Sequence, residues 1–296
     1  MNDKLLITGA SGDLGRRVVN RLKGKIALEN LTVLVRDENS ELAQQYQHAG
    51  IEVKMGDYAK PASLLNAFEG IDVLYFVSAG DDDQRAQLHQ NVVKAAKQAR
   101  IKHIIYTSAV WKNETDSSPL ATLVDSHRQT ENTIKASGLP YTLLKHNLYA
   151  EVIQMLIGDR SQLLKTKTIY LPTANGVTSF VAKDDLAEAE TTILLNHQQY
   201  ANRTLAFDGS EALTFAAIAQ QVGAILNEPI AYSSPDVATF ENQMSQLGLP
   251  HPVIELLKTF SIAIAQGEFD QQSTDLATVL GRPTRPLADF LAEAYR

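Results

Sequence analysis

Three glycines, Gly9, Gly12 and Gly15, stand three residues apart in Ile7-Thr-Gly-Ala-Ser-Gly-Asp-Leu-Gly15. A tight turn needs a positive φ that carries no Cβ, and a pyrophosphate must come close to bare backbone N–H groups; glycine serves both needs. A second chemically capable pair, His127 and Glu131, is spaced i, i+4, so both side chains share one face of a helix. An imidazole with an ordinary pKa of ~6.5 can pass a proton near neutrality. The bland alternative is a helix-surface histidine paired with Glu131.

These residues need elements to hold them. Leu5–Thr8 reads as a short buried strand, and Leu14, Val18, Val19 and Leu22 recur behind it at helical spacing. The strand therefore turns sharply into a helix whose unpaired N–H groups and positive end face an anion. Further strands are expected at Leu31–Val35, Ile51–Met55, Val73–Val77, His103–Thr107 and Tyr141–Lys145. Helices are expected at Leu14–Leu22, Leu42–Ala49, Ala62–Phe68, Gln84–Gln98 and Asp125–Ala136. Such alternation predicts an α/β fold, a Rossmann-type doubly wound parallel sheet, with ligands held past the C-terminal ends of the strands.

Functional residues are therefore sought just after each strand. Arg36 follows the second, roughly twenty positions past Gly15, where a dinucleotide's ribose contact is expected. A cation there suits a 2′-phosphate, which favours NADP(H), with NAD(H) as the alternative that Asp37 and Glu38 keep open. Arg16 and Arg17 add positive charge. Asp57, in Gly56-Asp57-Tyr58, either meets the adenine amino group or caps the turn before Pro61. Val77, Ser78 and Ala79 are small enough to admit a ribose. Asp81, Asp82 and Asp83 read as a helix cap and not as a metal site. Thr107 and Ser108 are expected near the nicotinamide. The loop Val110–Val124, with the only tryptophan, Trp111, reads as part of the substrate mouth or as a cover for the core. Lys145, His146, Asn147 and Tyr149 cluster beyond the sixth strand as cofactor or substrate contacts.

Beyond residue 150 the alternation weakens. Short strands (Thr168–Leu171, Thr178–Val181, Thr204–Phe207, Ile230–Tyr232) mix with helices (Asp185–Leu195, Phe215–Leu226, Val253–Ala265, Pro286–Ala294). The expected division is a dinucleotide-binding domain over 1–150 and a smaller C-terminal α/β substrate lobe over 151–296, whose chain partly returns to the main sheet. Asp184-Asp185 reads as a helix cap.

Composition narrows the class. With 27 Lys+Arg against 34 Asp+Glu, the net charge of −7 offers no support for a nucleic-acid or anionic-membrane partner. The absence of cysteine removes disulfides, thiolate metal sites and a cysteine nucleophile, and fits a reducing cytoplasm. The first strand begins too early to leave room for a signal peptide, and no run approaches the ~18 apolar residues of a membrane span. An apolar helix face could serve either as core or as a homodimer contact.

Over its whole length the chain resembles the NmrA-like group of atypical short-chain dehydrogenase/reductases, most closely the bacterial NAD(P)H:quinone oxidoreductases of type 2. The resemblance rests on residues 7–15, Val35-Arg36, Gly56-Asp57-Tyr58, Tyr106-Thr107-Ser108, Asp125-x-His-x-x-Thr-Glu131, Tyr141-Thr-Leu-Leu-Lys145, and Phe180-Val-Ala-Lys-Asp-Asp-Leu-Ala-Glu-Ala189. It implies NADPH in the Rossmann half, with Gly9, Ala10, Ser11, Gly12, Asp13, Leu14 and Gly15 at the pyrophosphate. It also implies a quinone-like small molecule in the cleft against the C-terminal lobe and no flavin; no metal is expected. Many members carry Arg-Asn-Gly-Trp-Tyr where this chain has Lys145-His146-Asn147-Leu148-Tyr149, so the pocket wall differs.

The Tyr-x-x-x-Lys pair of ordinary short-chain dehydrogenases finds only a decoy in Tyr141 and Lys145. Four residues span about 13 Å on a strand and ~6 Å on a helix. In related extended enzymes the pair corresponds to Leu123 and His127, and Leu123 has no proton to give, which argues against alcohol–ketone chemistry. A hydroquinone anion is far less basic than an alkoxide, so water or His127 suffices to protonate it. Two function classes follow: an NADPH-dependent reductase with His127 in the chemical role and Trp111, His127 and Tyr149 at the substrate, or a non-catalytic dinucleotide-binding redox sensor like NmrA itself.

Overall fold

The structure is a computed structural model that describes residues 3–80, 84–113 and 115–296. In chain order it runs β1 (Leu5–Ile7), α1 (Asp13–Leu22), β2 (Leu31–Val35), α2 (Glu41–His48), β3 (Glu52–Met55), α3 (Pro61–Phe68), β4 (Val73–Phe76), α4 (Arg85–Gln98), β5 (His103–Ala109), α5 (Ala121–Ser137) and β6 (Tyr141–His146). It continues with α6 (Ile153–Ile157), α7 (Arg160–Thr166), β7 (Thr168–Tyr170), β8 (Val177–Thr178), α8 (Lys183–Leu195), β9 (Arg203–Phe207) and β10 (Leu213–Thr214). The last elements are α9 (Phe215–Leu226), β11 (Ala231–Ser233), α10 (Val237–Gln246), α11 (His251–Ala265), α12 (Asp275–Leu280) and α13 (Leu287–Tyr295).

Seven strands form one sheet in the order β3-β2-β1-β4-β5-β6-β9. Every residue of β1, β2 and β4 is buried, as expected of strands covered on both faces. β1 pairs in parallel with β2 on one side (Leu5 opposite Leu31) and with β4 on the other (Leu5 opposite Val73). The strand order therefore reverses beside β1, which places a crevice past its C-terminal end. One face of the sheet packs Leu6, Leu74, Phe76 and Ile104 against Leu64, Phe68, Val92, Val93 and Ile134 of α3, α4 and α5. On the other face α1 packs against α8, and the Tyr75 hydroxyl donates to the carboxylate of Glu190 on α8.

The chain separates into two compact units, each discontinuous in sequence. The first comprises Met1–Ala109, Asp125–Lys145 and Lys183–Leu205; the second comprises Val110–Val124, His146–Ala182 and Ala206–Arg296. In the second unit β10 pairs antiparallel with β8, and β11 pairs in parallel with β7. Its aromatic contacts include Phe180 edge-on to Phe215 and Phe260 stacked on Phe269.

Several boundaries differ from the sequence expectations for local reasons. α5 begins at Ala121, four residues before Asp125, because Ser118 accepts from the Leu120 and Ala121 N–H groups and starts the turn early. α8 begins at Lys183, so Asp184 and Asp185 lie inside its first turn and do not cap it. Asp184 instead accepts from Arg17 Nη1 at 2.7 Å. The short helices α6, α7 and α12 are too brief to announce themselves by periodicity.

Candidate functional site

The glycine turn has the geometry its spacing implies. Gly9 sits at φ +61°, and a Cβ there would come within 2.8 Å of Val77. The Gly12 N–H closes the turn onto the Gly9 carbonyl at 2.8 Å. Gly12 caps α1 without any side-chain acceptor, so its N-cap residue does not compete for the first N–H groups of the helix. Those groups are what a phosphate binds. Gly9, Ser11 and Gly12 line a cavity of about 500 Å³ together with Leu34, Val35, Arg36, Gly56, Asp57, Tyr58, Val77, Ser78, Ala79, Gly80 and Leu88. Ala10, Leu14 and Gly15 are buried behind the turn. Asp13 faces elsewhere. Its two oxygens accept from Arg17 Nε (2.9 Å) and Lys183 Nζ (3.1 Å). Partial burial alone would raise its pKa, but these two cations outweigh that and hold it below the ordinary carboxylate value.

Arg36 stands exposed at the edge of the cavity, past the end of β2. Asp37 is folded into its own turn, where it accepts from the Asn39 N–H at 2.9 Å. Asp57 also accepts locally, from the Ala59 N–H at 3.0 Å, while lining the cavity. The Tyr58 hydroxyl meets Thr8 Oγ1 (2.6 Å) and the Val77 carbonyl (2.9 Å), tying the ends of β1 and β4 together. Burial pushes the Tyr58 pKa upward.

The chain beyond β4 is fixed from beneath. The Ser78 N–H donates to Thr107 Oγ1 and the Ala79 N–H to His89 Nε2, both at 2.9 Å. His89 is fully buried. Because its Nε2 accepts, its Nδ1 carries the hydrogen and donates to Thr130 Oγ1 at 2.8 Å. Burial, helped by the nearby Arg85 charge, lowers the His89 pKa to about 3, so the ring stays neutral. The cap expected from Asp81, Asp82 and Asp83 lies outside the described residues.

Between the C-terminal half of β5 and α5 two polar pairs are buried side by side. His127 is 4% exposed and so lies inside the unit, not on a helix surface. Its Nδ1 is 2.7 Å from the Tyr106 hydroxyl and its Nε2 3.4 Å from Arg85 Nη1. Burial is the main cause that drives the Tyr106 pKa upward. Glu131 accepts from Ser108 Oγ at 2.6 Å, and Lys145 Nζ lies 3.9 Å from the same carboxylate oxygen.

The remaining expected residues belong to the second unit. Trp111 is buried there, and its carbonyl accepts from Gln271. His146 Nδ1 is 3.0 Å from the Tyr149 hydroxyl, and its ring stacks on Phe207. Asn147 uses both amide hydrogens inside the unit, on Asp208 Oδ1 (2.7 Å) and the Phe269 carbonyl (3.1 Å). Its carbonyl oxygen accepts from the Leu148 N–H. Burial raises the Asp208 pKa against the opposing hydrogen bonds from Asn147 and Ser273. Glu268, also buried, accepts from the Lys112 and Asn113 N–H groups, each at 2.9 Å, and from Ser118 Oγ at 3.0 Å.

Sequence reasoning did not single out His89, Arg85 or Leu88. His89 carries a usable signal, a polar ring on an otherwise apolar face; Arg85 carries none, since an arginine opening a helix reads as solvated.

The comparisons agree with this architecture. Quinone oxidoreductase 2 of Escherichia coli is 28% identical over 291 residues, covering 98% of each chain. The crystal structure of the Escherichia coli NADPH-dependent quinone oxidoreductase complexed with NADPH superposes with a TM-score of 0.88 at 27% identity, over 99% of this chain and all of that one. The Citrobacter sp. triphenylmethane reductase complexed with NADP(H) superposes with a TM-score of 0.86 at 29% identity, over 98% and 99% of the two chains. The description of the NmrA-like family matches residues 1–288, nearly the whole chain, and the protein belongs to that family.

Proposed function

We propose that the protein is an NADPH-dependent oxidoreductase that reduces a quinone or a similarly electron-poor small molecule, without a flavin. The observation that carries this reading is the uncapped N-terminus of α1 opening onto a cavity with Arg36 at its edge. That arrangement suits a pyrophosphate at one point and a 2′-phosphate at another. Similarity to two reductases whose structures hold NADPH or NADP(H) supports it.

Bound NADPH would supply the hydride. The chain's own part is to fix it: Gly9, Ser11 and Gly12 at the pyrophosphate, Arg36 at the adenosine end, and Val77, Ser78 and Ala79 along the ribose. Transfer of a hydride, two electrons with one proton, to a quinone leaves a hydroquinone anion, which takes one further proton. Water supplies that proton, or His127 relays it, with Tyr106 holding the imidazole in place. Positioning then carries most of the rate. Trp111 and Tyr149 remain the residues proposed for substrate contact.

The test follows NADPH oxidation at 340 nm with and without a simple quinone, then with NADH, with no flavin added. Quinone-dependent turnover that prefers NADPH is expected. Tight NADPH binding with no turnover across several quinones overturns the enzyme reading and favours a sensor.

A further inference from the structure

The pair formed by Ser108 and Glu131 has a direction. A hydroxyl has one hydrogen and two lone pairs, and a carboxylate has only lone pairs. Ser108 Oγ lies 2.6 Å from Glu131 Oε1 and donates to it. Both residues are about 95% buried, Ser108 at 4% and Glu131 at 5% exposure, so water does not compete for that hydrogen. Lys145 Nζ lies 3.9 Å from the same oxygen. The hydroxyl hydrogen of Ser108 is thereby committed, and what Oγ still offers is acceptor capacity.

The place matters as much as the direction. The cavity runs from Arg36 beyond β2, past the glycine turn beyond β1, to Val77–Gly80 beyond β4. β5 is the next strand in the sheet, pairing with β4 in parallel. A dinucleotide lying with its 2′-phosphate at Arg36 reaches the end of β5 with its nicotinamide half.

We propose that Glu131 is a positioning residue that turns the Ser108 hydroxyl into an obligate acceptor for an N–H or O–H of the nicotinamide half of NADPH. Ser108 does not then donate to a substrate oxygen. This rests on the NADPH reading above. The donor is the carboxamide N–H₂ or a hydroxyl of the adjoining ribose.

The test measures NADPH dissociation constants by nicotinamide fluorescence, with no acceptor present, for the wild type, Ser108→Ala, Glu131→Ala and the double variant. Loss of one such hydrogen bond weakens binding about tenfold. Because Glu131 acts through Ser108, the double variant should also lose about tenfold, not a hundredfold. Glu131→Gln, whose carbonyl oxygen still accepts from Ser108, should stay within about threefold of the wild type. Where Glu131→Ala does not fold, Glu131→Asp, which draws the acceptor back by one methylene, takes its place in the cycle. Additive losses overturn the assignment, as does unchanged affinity in Ser108→Ala. Repeating the wild-type and Ser108→Ala titrations with the reduced 3-acetylpyridine analogue separates the two donors. A penalty that disappears identifies the carboxamide, and one that persists identifies the ribose. A wild-type protein that binds no NADPH overturns the NADPH reading and this inference together, whereas binding with additive losses overturns this inference alone.

Discussion

Gly15, on the first turn of α1, lies so close to the glycine turn that a Cβ on it would sit 2.2 Å from the Gly9 carbonyl oxygen. Neither partner can yield, since one is helix and the other is the turn that closes onto Gly12. Gly15→Ala should therefore destabilise the protein by roughly 1–3 kcal/mol, despite alanine's better helix propensity. Thermal unfolding reads the loss directly; a raised Tm would mean that the turn relaxes freely.

Arg36→Ala should distinguish the two dinucleotides. A charge-assisted hydrogen bond is worth about 1.5–3 kcal/mol, so NADPH affinity should fall roughly tenfold or more while NADH affinity barely moves. Equal losses for both would take the 2′-phosphate away from Arg36.

If His127 relays the proton, His127→Ala should lower kcat about tenfold, less than the ~10²–10⁴ typical of general acid catalysis, because a hydroquinone anion is weakly basic. The NADPH dissociation constant should stay unchanged. Unaltered kcat/KM for quinone leaves protonation to water. Tyr106→Phe removes the hydroxyl 2.7 Å from the ring and should cost about 1 kcal/mol of stability, readable by urea denaturation.

Two buried histidines set the acid limit. Burial is the main cause that lowers His89 to about 3 and His103 to about 4; the charges of Arg85 and His197 add to it respectively. In the unfolded chain both titrate near ~6.5. Between those values the unfolded state binds more protons, so stability rises with pH across that window. It is fully present above about pH 6.5 and is lost as the pH falls toward 3, by an amount on the order of a few kcal/mol. His89→Gln, which keeps an acceptor for the Ala79 N–H and a donor for Thr130 but does not titrate, should flatten part of that slope. An unchanged slope in this variant would remove His89 as a cause.

Glu268→Ala leaves the Lys112 and Asn113 N–H groups and the Ser118 hydroxyl without their acceptor. The expected loss is roughly 3 kcal/mol, with Glu268→Gln recovering most of it. Urea denaturation of both variants checks this, and near-wild-type stability in Glu268→Ala would show that water replaces the carboxylate.

The sheet was legible because buried strands are apolar runs and the helices between them are periodic. Leu31–Val35 and Phe215–Leu226 end where their patterns end. The glycine turn was legible because its spacing has few other uses. What did not show was direction. Nothing in the sequence says that Asp13 turns to Lys183, that Asn147 spends its amide on Asp208, or that Glu131 faces Ser108. Each depends on residues tens of positions away, and a hydrogen-bond partner at that distance leaves no periodic trace. Arg85 was missed for the same reason, since its burial follows from what it meets and not from its type.

The first unit is threaded from three separated stretches, the last of them Lys183–Leu205. During synthesis, α1 therefore leaves the ribosome long before α8, the helix that packs against it. Until residue 205 has emerged, a nascent chain holding every strand from β1 to β6 still lacks Glu190, which accepts from Tyr75, and the Lys183 cation and Asp184 carboxylate that bind Asp13 and Arg17 from α8. A gene fragment that stops near residue 150 would thus yield an incomplete folding unit, its α1 flank without the helix that covers it in the full chain.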